Sequence, residues 1–439
     1  MAGARPPAGG PAVSLTRVAA RLTTPLAYVA VFGGLQVLLL WTLRAHVGTW
    51  VAAISTGGVL ALLGLIVRVE GRWGLKLGVT AVLGALTAIG PTLVAVVQRP
   101  ALGLTMEHDG LLQIESAIDR LLHGQPIYGV DWSTTPMARL PWNLTTDGNP
   151  ALHHMAYFPL TILVGIPFRL LSGALGLPFD YRIVLIGFAL VGLLAIAALP
   201  ITAERRLMVT AAIYISPLIT LYLWSGRNDI EFLAVVLLSL TLLSRGHPVL
   251  AAGALGIAVA LKPFAWLAVP FLLVVVVMRW RAGQRRLELW GSLAALTIAP
   301  IVTIVPFLLV NPQAFWTDVV LYTSGGVPDA YPIQGYGFGE ILYDAHLIAH
   351  RTDAFPFTAF QLAALVPVLW LAGRALVRRP TAGRWMAGYG GALFAFMFFA
   401  RFFNDNYVAV VITLFLCVLP LGAASLGPPR AARAARLAA

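Results

Sequence analysis

The feature of this sequence that most constrains its fold is the recurrence, along nearly its whole length, of apolar segments of about 20 residues. A helix of that length crosses a hydrocarbon core roughly 30 Å thick. Charged residues make up only 11% of the chain, against about 25% in ordinary soluble domains. The sequence therefore predicts an all-α polytopic integral membrane protein and excludes a soluble multidomain protein.

The basic residues account for the net charge of +12 without a nucleic-acid partner. They lie in short clusters between apolar segments, which is the positive-inside pattern that orients a membrane protein and pairs it with anionic lipids. We therefore expect membrane lipids as partners and cytoplasmic N- and C-termini. The clusters are Arg68, Arg72 and Lys76; Arg279, Arg281, Arg285 and Arg286; Arg374, Arg378, Arg379 and Arg384; and Arg430, Arg433 and Arg436.

Counting apolar segments from a cytoplasmic N-terminus predicts about 11 to 13 transmembrane helices and two long loops on the outer face. Between the first outer loop and the cytoplasmic cluster at Arg279 the chain must cross the membrane an odd number of times, but six apolar segments lie there. One of them should therefore be re-entrant, and 157–173 and 249–261 are the best candidates. The predicted regions are a cytoplasmic basic tail (1–22), three transmembrane helices (23–97), an outer catalytic loop with a juxtamembrane helix (98–156), a central transmembrane bundle with a re-entrant segment (157–310), a second outer loop (311–354), C-terminal transmembrane helices (355–425) and a cytoplasmic basic tail (426–439).

The two long loops hold most of the acids and histidines of the chain. Eleven of the 18 acids and six of the eight histidines lie there, so we expect the chemistry on the outer face. In the first loop, apolar residues at helical spacing over 111–122 predict an amphipathic helix that lies along the membrane surface. In the second loop, glycine alternates with aromatic residues at 335–339, a composition typical of a flexible lid over a lipid or a sugar.

The candidate catalytic residues are acids at the start of this predicted helix. An acid just past a membrane span and beside a surface helix loses part of its hydration, which suits a general base acting on a hydroxyl. Asp109 is the first candidate and Glu107 the second. His153 and His154 are neighbours that point about 100° apart on a helix, and the spaced ligand cluster typical of zinc is missing. We therefore expect no metal site and assign the histidines to substrate binding.

Three basic residues are candidates for binding a phosphate. Lys262 separates two short apolar runs, where a cation is costly unless an anion lies opposite, and a lipid phosphate would fit. Arg227 lies between two spans, and Arg401 ends another, although snorkelling to the interface also explains Arg401. His154 joins this group as a fourth candidate. The candidates for binding the sugar or its acceptor are Asn228, Tyr157, His153, Tyr331, Asn404 and Asn406.

Several motifs over residues 75–280 together resemble those of the GT-C superfamily of polyprenyl-phosphate-sugar-dependent glycosyltransferases. The pattern is similar in particular to glycosyltransferase family 87, the family of actinobacterial mannosyltransferases. The motifs are Asp109 after an early span, Tyr157-Phe158-Pro159, Gly226-Arg227-Asn228, and Ala252–Ala258 followed by Lys262-Pro263.

This resemblance implies a GT-C bundle and an inverting glycosyltransferase of the plasma membrane that acts in cell-envelope biosynthesis. It implies transfer of mannose, or another hexose or pentose, from a polyprenyl phosphate to a lipid- or glycan-linked acceptor hydroxyl. Asp109 would be the catalytic base, and Arg227 and Lys262 would lie near the donor phosphate. The lipid-phosphate-linked sugar would be the donor substrate, with no cofactor and no metal required.

Two alternatives stay open at the level of the sequence. A transporter or flippase of a lipid-linked envelope intermediate also needs intramembrane cations, broken helices and a cavity. It often shows two related halves, which this sequence does not. The other alternative is a membrane scaffold without catalysis. Asp109 lying close to Lys262 or Arg227 across an outward-open, lipid-accessible cavity would favour the enzyme, whereas the same charges in separate environments would favour the alternatives.

Overall fold

The computed structural model describes residues 24–104, 107–142, 144–145 and 148–427. The predicted N-terminal tail at 1–22 lies outside these residues, as does the predicted C-terminal tail from residue 428 onward. The described residues are mostly helical, with one sheet of two strands. The predicted all-α class is confirmed.

The N-terminal part of the fold contains three long helices followed by the first long loop. The third long helix has 30 residues, which gives it a length of about 45 Å and exceeds the thickness of a hydrocarbon core. The elements are α1 (Pro25–Thr42), α2 (Arg44–Val47), α3 (Thr49–Arg68), α4 (Trp73–Leu102) and α5 (Asp109–Leu122), with 3-10 turns at Pro136–Arg139 and Pro150–Leu152.

Helix α5 is the amphipathic helix predicted from the spacing of its apolar residues. Its apolar face packs into the protein core, where Leu111, Ile114 and Ile118 are almost completely buried. The prediction that this face lies on the membrane surface is therefore wrong, because the helix bundle covers it. Arg99 near the end of α4 holds α5 in place through two hydrogen bonds of 2.8 and 2.6 Å to the carboxylate of Glu115.

The central part of the chain contains several short or broken helices. The candidate re-entrant segment 157–173 consists of two short helices, whereas 249–261 lies within one helix that ends before Lys262. A further break lies at Ser216, where the chain bends by 42°. The elements are α6 (Pro159–Leu163), α7 (Ile166–Ala174), α8 (Arg182–Ala197), α9 (Ala203–Thr210), a π turn (Ala211–Ile215), α10 (Pro217–Ser225), α11 (Asp229–Ser244), α12 (Pro248–Leu261), a 3-10 turn (Pro263–Ala268) and α13 (Val269–Arg281).

The C-terminal part contains the second long loop between two long helices. Strand β1 in this loop pairs in parallel with β2, and Gln334 lies opposite Phe402. The elements are α14 (Arg286–Val310), α15 (Pro312–Trp316), a π turn (Thr317–Leu321), α16 (Tyr322–Ser324), β1 (Gln334–Gly335), α17 (Phe338–Asp344), α18 (Phe357–Arg378), α19 (Ala382–Phe398), β2 (Phe402–Phe403) and α20 (Asp405–Leu421).

Among the described residues, six helices are long and apolar enough to span a membrane, or seven if the bent pair around Ser216 counts as one span. Helices α14 and α18 leave most of their apolar side chains uncovered, and Leu309 of α14 is 72% exposed. The protein is therefore an all-α, multi-pass membrane protein whose α14 and α18 face lipid. The predicted total of about 11 to 13 spans stays a prediction, because it depends on shorter helices such as α8 and α12.

Candidate active site

The two long loops meet at one end of the bundle and, with the adjoining helix ends, enclose a cavity of about 460 Å³, which we call the catalytic cavity. The N–H of Gly129 in the first loop donates to the carboxylate of Asp318 in the second over 2.7 Å. Phe357, at the start of the lipid-facing helix α18, is part of the apolar wall. Polar residues of the wall include His108, Asp109, His154, Tyr157, Arg227, Asn228, Lys262, Tyr331, Asn404 and Asn406.

Asp109 is the first residue of α5. His108 is the residue before the helix, and its Nδ1 lies 3.1 Å from the backbone nitrogen of Gly110. Asp109 Oδ1 accepts from the same N–H over 2.6 Å and lies 2.8 Å from Nδ1 of His108. The positive end of the helix dipole stabilises a carboxylate at this position. The start of α5 therefore holds an ionised acid against the cavity.

The electrostatics of the site keep Asp109 ionised. Burial acts to raise the pKa of Asp109, but the charge and hydrogen bond of His108, the N–H of Gly110 and the charge of Arg227 hold that pKa at about 2. Asp109 is therefore a carboxylate at neutral pH, and a weak base. A weak base accepts a proton well only once the attacking hydroxyl has become acidic, as happens when its oxygen bonds to an electrophilic carbon.

The start of α5 and the end of α10, which carry this acid and the first cation, are in direct contact. The N–H of His108 donates to the carbonyl of Ser225 over 2.9 Å. Gly226 then ends α10 with a φ of +84°, and a Cβ at this position would lie 2.8 Å from the side chain of Leu111. Both the backbone conformation and the close packing require glycine. Backbone contacts thus set the separation between the acid and the cation.

Arg227 follows this glycine and lines the catalytic cavity. Its Nη1 donates to the carboxylate of Asp405 and, over 2.9 Å, to Oδ1 of Asn406. The guanidinium also lies 5.0 Å from the ring centre of Tyr222, a distance at which cation–π attraction acts. These contacts orient Arg227 through one nitrogen and leave Nε and Nη2 to donate to an anion.

Lys262 lies at the break after α12, as predicted, and lines the same cavity. Its Nζ donates to Asp229 over 2.6 Å and to Oδ1 of Asn228 over 3.1 Å. The ring centres of Phe264 and Tyr407 lie 5.3 and 5.4 Å from Nζ. The anion that a buried lysine requires is thus the carboxylate of Asp229. A third proton of the ammonium group remains to bind a ligand.

Asn406 connects the two cations. Its Oδ1 accepts from Arg227, and its Nδ2 donates to Asp229, the partner of Lys262, over 2.6 Å. Both ends of this buried amide are therefore engaged with the protein. The predicted role of Asn406 in binding sugar does not fit these contacts, which favour a role in positioning both cations.

Two other predicted site residues point away from the catalytic cavity. Glu107 forms a buried ion pair with Arg182, with 3.2 Å between Oε1 and Nη2, so its carboxylate stabilises the fold and does not suit the role of a second base. His153 is 55% exposed in its side chain and lies 3.6 Å from Asp131. Its predicted role in binding the sugar therefore does not fit its position outside this cavity.

His154 lines the cavity and joins the two long loops. Its Nδ1 lies 2.9 Å from Asp318 and its Nε2 lies 3.1 Å from Asp329. The imidazole ring also stacks on Tyr322, with 4.4 Å between ring centres. Within the described residues, no group of three or more histidine, cysteine, aspartate or glutamate side chains has a geometry that could hold a metal ion.

Comparison with protein families identifies this arrangement. The family model for glycosyltransferase family 87 matches residues 156–400, which is more than half of the chain. The chain belongs to glycosyltransferase family 87. This is a GT-C type family, so the resemblance seen in the sequence is confirmed. Comparison with curated proteins and with solved structures gave no significant match.

The family establishes a glycosyltransferase activity and favours an enzyme over the transporter and scaffold alternatives. The matched residues of this family 87 glycosyltransferase include Arg227 and Lys262, whereas Asp109 precedes them. The role of Asp109 therefore depends on the geometry of the cavity.

Several residues that shape this site had no predicted role. Asp229 directly follows the Gly-x-Asn motif, but nothing in the sequence pairs it with Lys262, which lies 33 residues further along the chain. The sequence shows Asp405 and Asp318 only as acids in or near the predicted outer loops and does not indicate their partners. Their partners, Arg227 and His154, are 178 and 164 residues away. Sequence spacing does not reveal pairs this distant.

Arg401 is the clearest case in which the predicted role does not fit the contacts. Its Nε donates to the carbonyl of Tyr331, and its two Nη atoms donate to the carbonyls of Asp353 and Arg351 over 2.7 and 2.8 Å. Burial lowers the pKa of Arg401 to about 10, so it stays protonated at neutral pH. Arg401 lines the catalytic cavity, but its guanidinium is engaged with carbonyls of the second long loop, so its contacts favour holding that loop over binding the donor phosphate. The flexible lid predicted there is thus anchored by Arg401 and by the β1–β2 pair.

We expect Arg401→Met to loosen the second long loop of this glycosyltransferase. The change leaves three partly buried carbonyls without their charged donor, at a cost of about 1.5–3 kcal/mol for each lost hydrogen bond. Hydrogen–deuterium exchange over residues 331–353 should become faster. The control is Arg378→Met, which removes an exposed arginine of a basic cluster. Unchanged exchange in the Arg401 variant would show that other contacts hold the loop.

The contact between the two loops is expected to weaken at high pH. Burial acts to lower the pKa of His154, but hydrogen bonds and charge attraction from Asp318 and Asp329 raise it above its usual value. Protonated His154 then stabilises the loop contact fully below about pH 6.5, the ordinary pKa of histidine. This stabilisation is lost as the pH rises through the higher pKa that His154 has in the folded state. Protection factors for residues 317–331 should fall over that interval in the wild type but not in His154→Asn. His153→Asn serves as the control and should behave like the wild type.

Proposed function

We propose that this glycosyltransferase moves a sugar from a polyprenyl phosphate to an acceptor hydroxyl, with inversion at the anomeric carbon. One observation carries the proposal: Asp109, Arg227 and Lys262 line a single cavity that has an apolar wall next to a lipid-facing helix. The carboxylate suits a proton acceptor, the cations suit a phosphate, and the apolar wall suits a lipid chain.

In the proposed reaction the acceptor oxygen attacks the anomeric carbon of the donor sugar. The bond between this carbon and the phosphate oxygen breaks, and its electron pair leaves with the polyprenyl phosphate. Asp109 takes the proton of the attacking hydroxyl late in the step, in keeping with its low pKa. Since the nucleophile enters opposite the leaving group, the configuration inverts.

Arg227 and Lys262 would stabilise the charge that develops on the departing phosphate. Each is already oriented by a carboxylate, Asp405 or Asp229, so neither must move when the donor binds. His154 lines the same cavity, but both of its ring nitrogens face carboxylates, those of Asp318 and Asp329, so its contacts favour holding the two loops together over the predicted binding of the donor phosphate. With these cations at the leaving group, the proposed reaction uses the lipid-phosphate-linked sugar alone, without a cofactor and without a required metal.

We further propose that the site faces the outer side of the plasma membrane, with both chain termini in the cytoplasm. The basic clusters support this orientation, because positively charged connections stay on the cytoplasmic side. In this arrangement 98–156 and 311–354 are outer loops, and 23–97, 157–310 and 355–425 are the transmembrane parts. The sugar is mannose or another hexose or pentose, and the product belongs to the cell envelope.

The test is incubation of the purified protein with a panel of polyprenyl-phosphate hexoses and pentoses and with nucleotide sugars as competing donors. We expect consumption of one polyprenyl-phosphate sugar, an inverted anomeric configuration in the product, and the same rate in the presence of a metal chelator. Consumption of a nucleotide sugar in place of the lipid-linked sugars would contradict the proposal.

A further inference from the structure

A second opening lies beside the catalytic cavity. It has a volume of about 570 Å³, and we call it the polar cleft. Five residues line both spaces, namely His108, Asp109, Arg227, Tyr331 and Asn404. The proposed base is thus reached from two sides. The catalytic cavity has the apolar wall that suits a lipid chain, whereas the polar cleft has no assigned role.

The polar cleft has a charge that disfavours an anionic ligand. Three acids, Glu107, Asp109 and Asp405, lie on its wall, and Arg227 is the only lysine or arginine among its described lining residues. That arginine is paired with Asp405. Since Glu107 is likewise paired with Arg182 behind the wall, the carboxylate of Asp109 remains to repel a phosphate or an anionic lipid headgroup. A neutral ligand fits this wall better.

The uncharged polar groups of the cleft suit a ligand with several hydroxyls. Gln334 and Asn404 both donate to the hydroxyl of Tyr331, over 2.7 and 3.1 Å, which leaves their carbonyl oxygens as acceptors. Asn149 uses its side-chain oxygen to cap Ala151, which leaves its NH₂ group as a donor. Acceptors and donors of this kind match the hydroxyls of a sugar.

Two aromatic side chains complete the wall. Trp142 is oriented by a hydrogen bond of 2.9 Å from its Nε1 to Thr145, and it keeps part of its ring exposed. Tyr336 is 69% exposed, while its backbone N–H is fixed to Phe403 of β2. Flat amphipathic rings provide contact area at low entropic cost and suit the C–H face of a sugar ring. The cleft volume lies in the range of roughly 300–1,000 Å³ that is typical of sites for small organic ligands.

We propose that the polar cleft binds the acceptor as a neutral saccharide, with sugar rings against Trp142 and Tyr336 and one hydroxyl directed at Asp109. The inference rests on the proposed function and adds the chemical class of the acceptor. Donor and acceptor would then approach the base from separate openings, so the donor can bind while the cleft is empty.

The experiment uses the full-length protein in detergent micelles and the polyprenyl-phosphate sugar consumed by the wild type. The acceptor probes are octyl glycosides with one and two sugar residues, and phosphatidylglycerol serves as an anionic lipid that also bears hydroxyls. The variants are Trp142→Ala, Tyr336→Ala and the conservative Trp142→Phe. The matched control is Trp290→Ala, which removes an exposed tryptophan of α14. The measurements are the acceptor KM, kcat and the donor Kd without acceptor.

We expect Trp142→Ala and Tyr336→Ala to raise the KM for an octyl glycoside by about tenfold, in line with the loss of a central aromatic contact. The donor Kd should stay the same, which also shows that the variants fold. Trp142→Phe should restore most of the affinity, and Trp290→Ala should match the wild type.

Three results would overturn the inference: an unchanged acceptor KM in both alanine variants, a weaker donor Kd with an unchanged acceptor KM, or transfer to phosphatidylglycerol in preference to every octyl glycoside. A wild-type protein that consumes none of the polyprenyl-phosphate sugars would instead contradict the proposed function itself. The two failures are therefore distinguishable.

Discussion

Asp109→Asn is expected to lower the rate of sugar transfer by about 10²–10⁴-fold, the usual contribution of a general base. Asparagine has nearly the same shape and keeps an oxygen for the N–H of Gly110, but its amide cannot accept the proton of the acceptor hydroxyl. Donor affinity should therefore change little, whereas stability should decrease, because the ionised carboxylate that its surroundings favour is removed. The rate is measured under single-turnover conditions with saturating donor, so that product release does not hide the chemical step.

The matched control is Asp131→Asn. Asp131 is another acid of the first long loop, but its side chain is exposed, bonds to Ser133, and does not line the catalytic cavity. This variant should transfer sugar at the wild-type rate. A folded Asp109→Asn protein with a rate close to that of the wild type would remove Asp109 from the proposed role.

The low pKa of Asp109 extends this prediction to pH. A carboxyl group with a pKa of about 2 stays ionised until the solution becomes strongly acidic. Its contribution to folding stability is present above its unfolded-state pKa and is lost as the pH falls through the folded-state value. Any decrease in rate between neutral pH and about pH 5 must then come from another group.

Lys262→Met is expected to lose both stability and activity. The ammonium group is the partner of Asp229, which is 2% exposed, and removing one partner of a buried ion pair costs about 3–5 kcal/mol. The donor phosphate would lose one of its two proposed cations at the same time. Stability is measured by denaturant unfolding in detergent, and activity by donor consumption.

A double variant separates the two effects. In Lys262→Met with Asp229→Asn, the buried carboxylate is gone, so most of the lost stability should return, while sugar transfer stays low. Lys76→Met is the matched control, since Lys76 is also buried but lies near Trp73, away from both openings. If the double variant recovered transfer together with stability, Lys262 would act only in folding.

The elements that the sequence predicted correctly are those controlled by local pattern. Helical spacing of apolar residues predicted α5, and the pair Lys262-Pro263 predicted the break after α12, because proline lacks the N–H of a helical hydrogen bond and the lysine interrupts the apolar run. Composition predicted the membrane class. The family resemblance came from short motifs whose order, more than any single residue, is distinctive.

The parts that sequence reasoning missed depend on partners far away in the chain. Arg401 looked like a phosphate ligand, but three backbone carbonyls of the second long loop surround it, and backbone atoms have no sequence signature. Glu107 was the second candidate for the base after Asp109, yet Arg182, 75 residues away, pairs with it. Whether an acid faces a cavity or a buried arginine is decided by tertiary packing.

The contact between His108 and Ser225, together with the close packing of Gly226 on Leu111, has a consequence for how binding energy is used. The acid and the first cation keep their separation before any substrate arrives, so the site has a small reorganisation energy. The donor does not have to supply free energy to assemble them. The binding energy of the donor can instead align its anomeric carbon with the incoming hydroxyl. Substrates are then selected by how well they fit between an acid and a cation whose positions are already fixed.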